Sequence, residues 1–339
     1  MLRPIIMIGC GGSGQKAVRY VRDSVARHLE HKGWESGVPK AWQFLGIDTL
    51  TTQEDPDIPF LPNNDYVSVS LAFPTYQGLN QAIETKFGLE VNPTAFHDLQ
   101  GWRPNPSQVT VPLKDGAGQL RAVGRTASGL AFQDYVAKRV SFAFAQCSAG
   151  GPELTEVSRY LNVSVPPGTP VPDPITIVVG SMAGGTGAGI MLDVVDLVRR
   201  TDVKGAFPVL VAFTPDIFGN IQTKAMTANS AAFMSEMLSA YWDDHNTDSS
   251  LIPATVSVNT RGPHSIFLIG RTNVDGLDLK NSGNVYRAVG EALAAVTTSG
   301  QVQGEFNNFI KGNWPVKAPE NQGGYGFANQ YLPGVASSF

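Results

Sequence analysis

The sequence predicts an α/β fold with a mainly parallel sheet and helices on both faces. Three observations predict it. The apolar runs Pro4–Ile8 and Ile175–Val179 each end in a glycine-rich turn that opens a segment with helical apolar spacing. Further apolar runs at Ala41–Ile47, Val209–Phe213 and Ser265–Ile269 have the length of buried strands. Helical patterns separate the runs, so the strands are joined by crossovers, as in a Rossmann-like sheet.

Taken in order, Pro4–Ile8 leads through Gly9-Cys10-Gly11-Gly12-Ser13-Gly14-Gln15 into a helix from about Lys16 to His31, with Val18, Val21, Val25 and Leu29 on one face. The turn matches G-x-G-x-x-G, a pattern shared by many phosphate-binding α/β folds. It lacks the Lys-Ser or Lys-Thr of a Walker loop, because Gln15-Lys16-Ala17 follows Gly14. Ala41–Ile47 ends at Asp48, which serves either as a ribose ligand or as a strand-end cap. Residues 51–112 break the pattern with recurrent Pro, Asn and Asp and read as an insertion at one sheet edge, with one helix near Leu79–Phe87. His97 within it is assigned no role. Gly116-Ala117-Gly118 forms a third glycine turn before a helix from Thr126 to about Ser148. Arg125 at the start of that helix opposes the helix dipole and is expected to face solvent rather than a phosphate.

Gly180–Gly189 holds five glycines in ten residues between a strand and a helix. Each interior glycine costs roughly 0.5–1 kcal/mol of order, so a tight turn alone is a poor reason for so many. A strand–glycine turn–helix unit aims backbone N–H groups and the positive helix end at one point, which favours phosphate. Downstream, Thr214-Pro215-Asp216 and Gly270–Asn273 end two more strands, and a buried helix spans Asn284–Thr298. In a parallel sheet all of these turns lie at the C-terminal strand edge, where one nucleotide could touch them.

Composition bounds the partners. The chain has 339 residues, enough for one large domain or two ordinary ones, and 42% are hydrophobic, enough for a full core. A net charge of −4 gives no footprint for nucleic acid or an anionic membrane. Cys10 and Cys147 are too few for a disulfide framework. No signal-peptide pattern opens the chain, and no apolar stretch reaches the ~18 residues of a membrane span. A soluble cytoplasmic protein with no nucleic-acid partner is expected, and no residues are assigned as a metal site.

These motifs carry a resemblance to the tubulin/FtsZ superfamily of GTPases, and within it to divergent bacterial tubulin-like proteins. Ala183-Gly184-Gly185-Thr186-Gly187-Ala188-Gly189 resembles the family signature Gly-Gly-Gly-Thr-Gly-(Ser/Thr)-Gly, with alanine at the first position and Ala188 at the sixth. Ile8–Gln15 is similar to the first nucleotide loop, Phe44–Thr49 to the second strand and its loop, Gly116–Gly118 to the γ-phosphate loop, and Ala212–Asp216 to the sugar-contacting loop.

The resemblance implies a tubulin-type GTPase domain over residues 1–298, with 284–298 as its central helix, binding GTP or GDP with Mg²⁺. It implies that Gly184–Gly187 hold the α- and β-phosphates with the Thr186 hydroxyl. Gly11, Gly12, Ser13 and Gln15 would line the phosphates and Mg²⁺, and Gly118 would reach the γ-phosphate. Asp216 would contact the sugar, and Asn273 and Asn284 the base. Residues 299–310 resemble the loop that enters a neighbouring subunit's site, with Glu305 and Asn308 as catalytic candidates; Asn308 stands where the family has an acid, and an amide cannot accept a proton from water. Head-to-tail self-association follows from that loop. Residues 311–339 are expected to be a tail or the start of a truncated second domain, the family's second domain being absent. Two other readings stay open: an inactive nucleotide-binding scaffold, and a Rossmann enzyme binding a dinucleotide or ATP.

Overall fold

Residues 1–70, 73–91, 93, 101–110, 112–201, 208–221, 224–242, 263, 265–273, 275–312 and 335–337 are described by the computed structural model. In chain order the strands are β1 (Ile5–Cys10), β2 (Trp42–Asp48), β3 (Tyr66–Ser68), β4 (Ile175–Ser181), β5 (Pro208–Phe213), β6 (Ser265–Ile269) and β7 (Val335–Ser337). The main helices are α1 (Gly11–His31), α2 (Tyr76–Phe87), α3 (Arg121–Ala131), α4 (Ala137–Ala149), α5 (Gly151–Tyr160), α6 (Thr186–Arg199), α7 (Lys224–Trp242), α8 (Ser282–Thr298) and α9 (Gly300–Gly312). The seven strands form one sheet in the order β3-β2-β1-β4-β5-β6-β7, and every pairing is parallel.

Strand alternation divides the core into two. Ile6, Ile8 and Cys10 of β1 face one cluster, and Ile5 and Met7 face the other. Helices α1 and α8 cover the second face through Val18, Val21 and Val25, and through Val285, Val289 and Leu293. Helices α3, α4 and α6 cover the first face through residues such as Val123, Val140 and Val194. The sheet is therefore buried on both sides, which is why its strands read as continuous apolar runs.

The strand order reverses direction between β1 and β4. Helix α1 leaves β1 toward one face, and α6 leaves β4 toward the other, so a crevice opens between them at the C-terminal strand ends.

Several sequence expectations are corrected. Helix α1 begins at Gly11 rather than Lys16, so the glycine turn is itself the first helical turn. The helix expected over Thr126–Ser148 is α3 and α4, joined by a π-turn at Phe132–Val136. The segment 51–112 adds β3 to the sheet beside β2, and α2 sends Tyr76, Leu79, Ile83 and Phe87 into the core. The loop expected over 299–310 is helix α9: Phe306 and Ile310, four apart, are buried, and Phe306 stacks on Phe267 at 5.7 Å. His97 and most of the expected tail at 311–339 lie outside the described residues; the exceptions are the end of α9 and β7, which pairs with β6. No helix among the described residues is long and apolar enough to cross a membrane.

Candidate functional site

A cavity of about 250 Å³ sits at the crevice between β1 and β4. Its wall takes Gly11, Gly12 and Ser13 from the first turn of α1, and Gly184, Gly185, Thr186 and Gly187 from the start of α6. Asp48 ends β2, Thr49, Leu50 and Glu54 come from the segment after it, and Gly116, Ala117 and Gly118 from the loop before α3. Neither helix has a side-chain cap: the N-cap residues Cys10 and Gly185 make no capping hydrogen bond through their side chains. Two sets of first-turn amides therefore open on one volume, each with the positive end of a helix behind it. No Lys or Arg is among the described lining residues, while the carboxylates of Asp48, Glu54 and Asp115 are. An anion here would be held by backbone amides and by any cation that the carboxylates bring in.

The glycines of the signature divide into two roles. A Cβ on Gly185 would stand 2.7 Å from the Gly118 carbonyl oxygen, and one on Gly187 would stand 2.9 Å from that of Cys10. These two let the three loops touch through their backbones, and the Gly185 N–H donates to the Gly118 oxygen at 2.8 Å. Gly184 differs, since a Cβ there would meet nothing within 4 Å. Of the three, it is the one whose missing side chain leaves open space.

A buried polar cluster closes the floor. Thr49 Oγ1 and Thr186 Oγ1 share a hydrogen bond of 2.8 Å, and the Ala117 N–H donates to Thr49 Oγ1 at 3.0 Å. Asp48 Oδ1 accepts from the Thr49 N–H at 2.7 Å. Asp48 Oδ2, buried, has no hydrogen-bond partner among the described residues and faces the Gly12 position at 3.9 Å. Burial pushes the Asp48 carboxyl up to about 6, against the pull of the Thr49 N–H and the Thr186 hydroxyl. Such an orphaned acceptor fits a hard cation or a sugar hydroxyl. Burial also raises the thiol of Cys10, together with the nearby charges of Asp48 and Asp193, which favours its neutral form.

Other predicted residues lie elsewhere. Gln15 is buried off the cavity wall, where its Oε1 accepts from Arg19 Nη1 at 3.3 Å. Ala183 is buried behind the lining residues, its N–H donating to Ser181 Oγ at 3.1 Å. Asp216 accepts from the Arg271 N–H at 2.7 Å, and Asn273 Oδ1 caps its own loop by accepting from the N–H groups of Asp275 and Leu277. Asn284 Nδ2 donates to the Leu279 carbonyl, while Asn281 caps α8. The residue of α8 that reaches the first glycine loop is Tyr286, whose hydroxyl bonds Ser13 Oγ at 2.8 Å and whose ring packs edge-on against Phe213. Sequence reading missed Tyr286, Thr49 and Glu54; for Thr49 the one available signal was its place beside Asp48.

Arg125 does not face solvent. It pairs with Asp193 at 3.1 Å and lies over Trp102 at 5.0 Å, fixing α3 to α6 beside the cavity. Glu305 and Asn308 are exposed on α9. Arg3, just before β1, donates to Gln303 and Asn307 of that helix at 2.8 Å, which puts α9 at the N-terminal strand edge, opposite the cavity.

The tubulin-like family model matches residues 6–334 of the chain. No curated protein matches it. Among solved structures, CetZ1 from Haloferax volcanii, a GDP-bound monomer, is similar at 11% identity and a TM-score of 0.46, over 91% of this chain and 64% of that one. CetZ2 from the same organism, a GTPγS-bound protofilament, gives 12%, 0.42, 91% and 63%. TubZ of Bacillus thuringiensis serovar israelensis, a GTPγS-form protofilament, gives 14%, 0.43, 93% and 58%. The chain thus spans less than two thirds of the length of each. With its family model matched over nearly the whole chain, on an all-parallel sheet with glycine-led helices at the switch point, the chain belongs to the tubulin-like family of the tubulin/FtsZ superfamily.

Proposed function

We propose that the chain binds a guanine nucleotide in the β1/β4 cavity, with the polyphosphate against the first turns of α1 and α6. The observation that carries this reading is the convergence of two helix N-termini without side-chain caps on one cavity that has no basic side chain among its described lining residues. Family membership supports guanine as the base. The cavity is smaller than the ~300–1,000 Å³ of sites that enclose a drug-sized ligand, so it suits the phosphates, with sugar and base extending past Phe218.

The residues present fit Mg²⁺, since Asp48 Oδ2 is a buried carboxylate oxygen without a partner, with Glu54 and Asp115 on the same cavity. A bound Mg²⁺ would neutralise phosphate charge that no Lys or Arg among the described wall residues neutralises. Thr186 and the amides of Gly11, Gly12 and Gly184 orient the phosphates, and Gly118 faces the terminal one.

Hydrolysis, on this reading, needs a second copy. Glu305 and Asn308 sit at the opposite strand edge from the cavity, so a head-to-tail neighbour would have to present them. An alternative, a scaffold that binds nucleotide without cutting it, draws on Asn308, an amide that cannot take a proton from the attacking water. Phosphate release measured against protein concentration separates the two. Turnover per molecule that rises with concentration supports the shared site; release that stays at background supports the scaffold. Equilibrium titration with GTP, ATP and NAD tests the binding itself, and tighter binding of ATP or NAD than of GTP would overturn it.

A further inference from the structure

We infer that Asn229 of α7 is a positioning residue that fastens the γ-phosphate-facing loop to the signature loop, so that the two respond to a nucleoside triphosphate as one unit. The inference rests on the nucleotide reading above. The Asn229 Nδ2 group donates to the Gln119 carbonyl at 2.8 Å and to the Ala183 carbonyl at 3.0 Å, with the Gly184 carbonyl at 3.5 Å. One amide thus spans the two loops. Gln119 follows Gly118, and Ala183 precedes Gly184, so each anchored carbonyl adjoins a residue of the cavity wall. Asn229 is not itself a wall residue.

Helix α7 is well placed to carry this link. Met226, one turn earlier, lines the cavity, and Phe233, one turn later, is fully buried in the core. Glu236, a further turn along the same face, accepts from both Nη atoms of Arg121, the first residue of α3. Arg121 Nε also donates to the Ala188 carbonyl of α6 at 2.8 Å. The loop before α3 is therefore held by α7 at two points of its C-terminal end: through Asn229 at Gln119, and through Glu236 at Arg121. The signature loop is held by the same helix. Among the described residues the two loops are also tied directly by the Gly185 N–H donating to the Gly118 carbonyl at 2.8 Å, and indirectly by Thr49, which bonds both Ala117 and Thr186. Removing the amide takes away one of these ties and loosens the loop that faces the third phosphate against the loop that holds the first two. The loss should therefore fall on the triphosphate more than on the diphosphate.

The test is a titration of the full chain with GTP and with GDP, both with Mg²⁺, for wild type, Asn229→Ala and Phe233→Leu. Asn229→Ala is expected to lower the ratio of the GDP to the GTP dissociation constant by about fivefold, the equivalent of one ordinary hydrogen bond. Phe233→Leu, which loosens the same helix face within the core, is expected to lower thermal stability and leave the ratio unchanged. Should Asn229→Ala fail to fold, Asn229→Ser, which keeps one donor, is titrated in its place and is expected to lower the ratio in the same direction. Wild type that binds neither nucleotide overturns the functional reading together with this inference. Wild type that binds, with the same ratio in the Asn229 variant or an equal shift in Phe233→Leu, overturns the inference alone.

Discussion

Thr49 Oγ1 and Thr186 Oγ1 lie 2.8 Å apart, joining the end of β2 to the first residue of α6 beneath the cavity. Because Thr49 Oγ1 also accepts from the Ala117 N–H, one hydroxyl pair ties three loops, its partners lying 68 and 137 residues from Thr49. Thr186→Val is expected to cost about 1 kcal/mol of stability, the usual net worth of such a bond. Thr186→Asp places a second carboxylate beside Asp48 and against phosphate, and is expected to abolish nucleotide binding. Urea denaturation and nucleotide titration check the two; unchanged affinity in Thr186→Asp counts against the site.

Asp48 predicts a pH dependence. Its carboxyl is raised by burial from 3.8 to about 6, so between these values the native state holds a proton that the unfolded chain has released. The stability linked to this proton is present below about pH 4 and is lost as pH rises through about 6, a change of order 3 kcal/mol. Asp193, also raised by burial, shifts in the same direction. Thermal unfolding of nucleotide-free protein is expected to shift to lower temperature from pH 4.5 to about 7, and Asp48→Asn to flatten that trend. Asp48→Asn is also expected to weaken the Mg²⁺ dependence of nucleotide binding.

The two roles of the signature glycines give a contrast within one loop. Gly185→Ala drives a methyl to 2.7 Å from the Gly118 oxygen and 2.9 Å from that of Ala117, so it is expected to destabilise the fold by about 1–3 kcal/mol. Gly184→Ala meets no atom within 4 Å, so its stability is expected to stay within about 0.5 kcal/mol of wild type. Its methyl enters the cavity, and nucleotide affinity is expected to fall about tenfold, or about 1.4 kcal/mol. Paired melting and titration curves for both variants separate the roles.

Which parts of this were legible in the sequence follows from how each is specified. The units β1–α1 and β4–α6 are local: an apolar run, glycines and a helical stripe adjoin in the chain, and their wall residues Gly11, Gly12, Gly184 and Thr186 follow from that. The reversal of strand order between β1 and β4 is set by packing of distant segments, and no local pattern encodes it. Asn229 escaped notice for the same reason, since its acceptors lie 110 and 46 residues away. The pairing of Arg125 is not local either, since its partner Asp193 is 68 residues distant. Helix α9 was misread for the opposite reason. Its resemblance to a catalytic loop outweighed a visible apolar stripe at Val302, Phe306 and Ile310.

The pair of Arg125 and Asp193 is nearly closed to solvent, with side-chain exposures of 11% and 3%. Arg125→Ala leaves a buried carboxylate without its cation and is expected to cost about 3–5 kcal/mol. The double variant Arg125→Met/Asp193→Leu, which removes both charges, is expected to recover most of that loss. Chemical denaturation of the two variants checks it; equal losses in both would show that packing over Trp102, rather than charge, holds α3 to α6.

The central claim is that the β1/β4 cavity holds a guanine nucleotide. The most direct measurement is to purify the chain without added nucleotide, denature it, and identify what is released by chromatography, for wild type and for Gly184→Ala in parallel. GDP or GTP is expected from the wild type, with a clearly smaller yield from the variant. NAD or ATP from the wild type, or equal guanine nucleotide from both proteins, would contradict it.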